Sequence, residues 1–168
     1  MTAVRGLSLV MALGLACLAA TASARSLRFP ESGDPAFYME LPDGWTTRKD
    51  PSGNLIVLSA DHAIAFSLNV FTERTTADEI ARKALALQKV TPIPDRQRAS
   101  IWGFDGVSYH WRSVNASNIK LEMTLIVVQI DATHVANCTK LVSEASSPET
   151  HQIADWFVRD LRISRAAP

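Results

Sequence analysis

The stretch Phe37-Tyr38-Met39-Glu40-Leu41-Pro42-Asp43-Gly44-Trp45 reads as a short strand, a tight turn and an anchoring aromatic. The fixed φ of proline suits the second position of a β-turn, so Pro42 is expected there, with Asp43 and Gly44 following. Such a turn ends the strand sharply and throws Trp45 back toward whatever the strand packs on. A tryptophan carries a large apolar area and needs a partner for its N–H when buried. Trp45 is therefore expected to be a structural anchor.

Upstream, residues 25–36 hold Pro30, Gly33 and Pro35 with little periodicity, which predicts an extended, partly mobile lead-in. Residues 1–24 have the parts of a secretory signal peptide. Residues 1–5 carry one positive charge, residues 7–20 are apolar and uncharged, and Ala22-Ser23-Ala24 supplies small residues where a signal peptidase reads. The apolar run falls short of the ~20 residues that a membrane span needs. Cleavage after Ala24 is expected, which makes the protein periplasmic or secreted, with no transmembrane segment. The alternative is a lipoprotein anchored at Cys17, since Gly14-Leu15-Ala16-Cys17 loosely matches a lipobox. Gly14 stands where a leucine-like residue is usual, so the plain export site fits better.

Residues 25–168 are the size of one domain. The 168-residue chain has 17 basic and 17 acidic residues, and loss of Arg5 with the leader leaves one excess negative charge. Charges of both signs are spread along the chain. That balance argues against nucleic acid, which requires a basic face, and against a polybasic membrane patch. Beyond the leader, Cys138 is the one cysteine. It sits in an apolar strand-like run and is expected to be buried and inert.

Downstream of the opening turn, Leu55, Ile56, Val57 and Leu58 form a compact apolar strand. Ile64, Phe66, Leu68 and Val70 then alternate with smaller or polar residues, the period of a strand with one apolar face. The two are expected to pair as a hairpin. Thr76-Ala77-Asp78-Glu79 is a capping box, predicting a helix from residue 77 to about residue 89 with Ile80, Ala84 and Leu87 on its apolar stripe. Three strands follow. The first is short and ends near Gly103, with residues 103–106 read as a turn. The second contains Tyr109 and Trp111, and the third runs from Ile119 past Val127. Another strand spans residues 134–142. Ser147-Pro148 opens a last helix as N-cap and first helical residue. Its Ile153, Trp156 and Phe157 are expected to face the sheet, which makes Trp156 a further anchor. Residues 161–164 are expected to add a final short strand.

Taken together, the Tyr38-to-Trp45 strand and Pro-x-Gly-Trp turn, the hairpin, the helix after Thr76, the antiparallel strands and the C-terminal helix resemble a PsbP-like domain. That family includes DcrB-type bacterial exported proteins and shares its fold with the Ran-binding factor Mog. The resemblance implies an α+β fold at residues 37–165, an antiparallel β-sheet flanked by helices on both faces, an α/β/α sandwich. It also implies a protein that binds or scaffolds, since the family has no shared catalytic motif.

The residues themselves point to no reaction. His62, His110, His134 and His151 stand apart, without the tight spacing of metal ligands, so no metal or other cofactor is expected. There is no nucleophile elbow, phosphate loop or His-Glu-x-x-His helix. One constellation stands out: Trp102, Tyr109, His110, Trp111 and Arg112. Aromatics beside a cation often build recognition surfaces. Alternation sends Tyr109 and Trp111 to one side as packed support and His110 and Arg112 to the other. Trp102, His110 and Arg112 are the expected partner contacts. The reading is a non-enzymatic binding or accessory protein of the bacterial envelope, acting through a protein partner. The alternatives are a carrier or sensor of a small apolar ligand held between sheet and helix, and a hydrolase without a recognisable motif.

Overall fold

The alternation along the chain is realised as strands, and strands dominate the computed structural model, which describes residues 25–165. The expected signal peptide with its expected cleavage site, and the alternative anchor Cys17, lie outside the described residues. In chain order the elements are β1 (Arg25–Phe29), β2 (Phe37–Leu41), β3 (Thr46–Lys49), β4 (Leu55–Leu58), β5 (Ile64–Thr72), α1 (Ala77–Leu87), β6 (Gln97–Ile101), β7 (Phe104–Val114), β8 (Lys120–Gln129), β9 (His134–Ser143), α2 (Pro148–Asp160) and β10 (Arg162–Ile163).

The strands form two antiparallel sheets. One has three strands in the order β1-β2-β10, and the other has seven in the order β3-β4-β5-β9-β8-β7-β6. The expected α/β/α sandwich, one antiparallel sheet with helices on both faces, is therefore corrected. The architecture is two sheets with two short helices, of 11 and 13 residues. The reason lies in the lead-in. Residues 25–29 pair along their whole length with β2, and β2 turns its other edge to β10 rather than to the large sheet. Phe37, Met39 and Leu41, alternating on one side of β2, are buried against the large sheet. A second sheet thus occupies space that a helical layer was expected to fill.

The opening turn closes one residue later than proline's preference suggests. Trp45 N–H donates to the Pro42 carbonyl at 3.2 Å, so Pro42 takes the first position and Gly44 the third. Gly44 has φ of 78°, a left-handed conformation in which glycine carries no steric cost. The Trp45 ring, half-buried, then stacks on Phe157 at 5.2 Å and Phe66 at 6.0 Å.

Pleating assigns the seven-stranded sheet's side chains to two faces. Phe66, Leu68, Ile126, Val128, Ala136 and Cys138 share one face and pack with β2 and with Ala154, Phe157 and Leu161 around α2. Burial pushes the Cys138 thiol up to about 12, so it stays protonated. Val107, Tyr109, Leu125, Val127 and Val135 share the opposite face and pack under α1. The capping box of α1 forms as read: Thr76 Oγ1 accepts from Glu79 N–H at 3.2 Å and Glu79 accepts from Thr76 N–H at 2.9 Å. The buried stripe of α1 is Ile80, Ala81 and Leu85, and Leu87, expected on it, is 84% exposed.

Candidate functional site

Direct pairing across four strands builds the site. His110 of β7 is opposite Thr124 of β8, Thr124 is opposite Lys140 of β9, and Lys140 is opposite Phe66 of β5. Paired residues share a face, so one row crosses the sheet from polar to apolar. A second row runs from Arg112 to Glu122 to Val142. Both lie on the face that carries α2. The helix buries Ala154 and Phe157 over the apolar half and leaves the polar half open as a groove. His151, Asp155 and Arg159 form its helical wall.

The groove is held by paired charges. Lys140, only 16% exposed in its side chain, forms an ion pair with Asp155 that ties sheet to helix. Arg112 bridges Glu122 at 3.6 Å and Glu144 at 3.3 Å, and His151 Nδ1 lies 3.5 Å from Glu122. His110 Nδ1 and Thr124 Oγ1 are 2.9 Å apart, so the ring is partly withdrawn from water although its outer edge is exposed. Desolvation pushes the imidazole below its ordinary range, Lys140 adds to that, and Asp155 opposes it. His110 is accordingly neutral near pH 7.

The structure brings together two of the three expected contact residues, His110 and Arg112. It places Trp102 elsewhere. Trp102 and Gly103 form the two-residue turn between β6 and β7, both with positive φ, at 54° and 82°. Hairpins favour that geometry, which is costly for a bulky residue. Two contacts hold it: the indole N–H donates to the Val158 carbonyl at 2.8 Å, and the ring meets Phe37 edge-on at 5.7 Å. Residues 104–106, read as part of a turn, already belong to β7. Tyr109 is buried and Trp111 half-buried under α1, on the side expected for packed support.

Trp156 is corrected from anchor to surface residue. It is 46% exposed and Ile153 is 40% exposed, while Phe157 takes the buried position. Gln152 and Arg159, four residues before and three after, place Trp156 beside the groove wall. Sequence reasoning missed Lys140, His151 and Asp155, which join the site through strand register and helix docking.

Neither a protein-family model nor a curated protein matches the chain. Solved structures do match. Cyanobacterial PsbP from Synechocystis sp. PCC 6803 aligns with a TM-score of 0.62 at 10% identity, covering 90% of this chain and 99% of that one. LpqN, involved in cell envelope biogenesis of Mycobacterium tuberculosis, aligns with a TM-score of 0.55 at 14% identity, covering 84% and 92%. The fold is PsbP-like. A Bacteroides thetaiotaomicron protein also aligns, with a TM-score of 0.54 at 14% identity, over 77% of this chain and 45% of its own length. At these identities the likeness concerns architecture. Among the described residues no helix is long and apolar enough to cross a membrane.

Proposed function

We propose that this chain is an exported, non-enzymatic accessory protein of the bacterial envelope that acts by binding a protein partner through the α2 groove. The observation that carries this reading is the combination of an open charged groove with an exposed aromatic at its rim. His110, Arg112, Lys140 and Asp155 offer directional polar contacts, and Trp156 offers an apolar anchor beside them. Aromatics and arginine surrounded by polar groups are the composition of interface hot spots. The sequence of the leader supports export. LpqN, a structural neighbour, is described as acting in cell envelope biogenesis, and its shared fold makes an envelope role the natural class to test.

The test is site-specific photocrosslinking in the host envelope, with the reactive residue at position 112, 156 or 87. Position 87 lies on α1, away from the groove. One discrete protein adduct from positions 112 and 156, absent from position 87, is expected. No adduct from the groove positions, or the same adducts from position 87, would overturn the reading.

A further inference from the structure

On the face that carries α1, the sheet changes character between β8 and β9. One row runs Tyr109, Leu125, Thr139, Ser67, and the next runs Val107, Val127, Asn137, Asn69. The first two members of each row are buried under α1. The last two are hydroxyls and amides. Ser67 pairs with Thr139 and Asn69 with Asn137, so the four side chains make a polar square with Cβ atoms about 5 Å apart across the strands. They floor a cleft of about 430 Å³, walled on one side by Phe71 and by Ala84 and Leu87 of α1, with the polar Ser52, Asn54 and Gln88 completing its lining. That volume lies within the ~300–1,000 Å³ usual for small-molecule sites.

Three properties define what this cleft suits. The floor is neutral, and each of its amides and hydroxyls can both donate and accept. The one ion pair at the rim, Lys83 with Glu73 at 3.8 Å, balances itself. Among the described residues, the four floor side chains make no hydrogen bond to another protein group, although Thr139 is only 7% exposed and the other three are half-buried. The floor's backbone is consumed by the ladder, since β9 pairs with both β5 and β8. A peptide adding as a strand would find no free edge on β9, while β5 is paired with β4 only as far as Leu68. The wall is apolar at Phe71, Ala84 and Leu87, so a small, purely apolar ligand would match that part and strand the polar floor unsolvated. A sugar ring matches both, with hydroxyls to the floor and its C–H face to Phe71 and Leu87.

We propose that this cleft is a binding site for a short neutral saccharide. It lies on the opposite face of the sheet from the α2 groove and does not depend on it. The test is an NMR titration of protein purified from the envelope of an expressing cell, with maltotriose and with triacetylchitotriose as probes. Saturable shifts of the Asn69 and Asn137 side-chain amides are expected with at least one of them. Asn137→Leu and the milder Ser67→Ala should each weaken that binding, Asn137→Leu by about tenfold or more. Dispersed spectra will show that each variant is folded, and Ser67→Ala carries the test if Asn137→Leu is not. The proposal is overturned by the absence of shifts with both probes, by shifts confined to the α2 face, or by affinity unchanged in the folded variants.

Discussion

The two faces of the seven-stranded sheet are each half covered, and the covered halves lie on opposite sides. On one face β2 and α2 bury β4, β5, β9 and the Ile126–Val128 part of β8, and leave the part of β7 and β8 at His110, Arg112 and Glu122 open with polar and charged side chains. On the other, α1 buries the β7–β8 half and leaves β5 and β9 open with amides and hydroxyls. The Leu125–Val128 stretch of β8 is buried on both sides, Leu125 and Val127 under α1 and Ile126 and Val128 on the face of β2 and α2. A strand buried on both faces needs near-continuous apolar sequence. Away from that apolar run the offset covers leave polar positions open on each face, two surfaces of different chemistry.

If the face carrying α2 relies on its aromatic stack, Phe157→Ala should cost about 3–5 kcal/mol. Phe157 is 2% exposed and stacks on Phe66 at 4.4 Å and on Trp45 at 5.2 Å. Urea unfolding measures it, and a loss under about 1 kcal/mol would show that α2 is dispensable to the core. On the opposite face, Leu85→Ala should cost about 2–4 kcal/mol, since the side chain is 1% exposed on the sheet-facing side of α1, a single helix that can shift to fill the space. A larger loss than for Phe157→Ala would reverse the ranking of the two faces. Thr76→Ala removes the α1 cap and should cost about 1 kcal/mol, with hydrogen exchange quickening at the start of α1 and not in α2.

A pH measurement sharpens the contrast further, because a titrating group with a displaced pKa lines the charged groove. The folded-state pKa of His110 lies below its ordinary 6.5. The unfolded chain therefore takes up the proton first as pH falls. Stability that His110 contributes above that value is lost as pH drops through it. Between pH 7 and pH 5 the wild type should lose more stability than His110→Gln, and equal slopes would remove His110 from the account. The smallest effect is expected for Trp156→Ala, within about 0.5 kcal/mol of wild type because the ring is exposed. The same variant should nevertheless abolish the groove adduct formed from position 112.

Local features were legible because their causes are local. The α1 capping box, the Ser147 cap with Pro148 behind it, and the Leu55-to-Val70 hairpin each follow from residues a few positions apart. Partnership between distant segments was not legible. Nothing within residues 25–41 says that β1 and β2 will pair apart from the main sheet, since that choice depends on β10 and on the face it covers. The Trp156 reading failed for a reason visible in hindsight. Phe157 has Ala154 and Leu161 on its side of the helix, whereas Trp156 has Gln152, Arg159 and Asp160. Of the groove, alternation showed His110 and Arg112 on one side, but Lys140 and Asp155 arrive through a register that no short stretch encodes. The polar square was visible only as the wet members of two separate strands.

The three-stranded sheet also sets the order in which the molecule can be completed. β2 is flanked by β1, a few residues before it, and by β10, more than a hundred residues after it. The clasp is finished by Ser164, whose N–H donates to the Ala36 carbonyl at 2.9 Å and whose hydroxyl accepts from Ala36 N–H at 3.0 Å and donates to Asp34 at 2.7 Å. Closing so long a loop is entropically costly and slow. A chain emerging from its N-terminus holds one edge of β2 unpaired until residues 162–163 have appeared. The native state thus requires residues 162–164, and a chain cut short before residue 162 keeps an adhesive strand edge exposed to its neighbours.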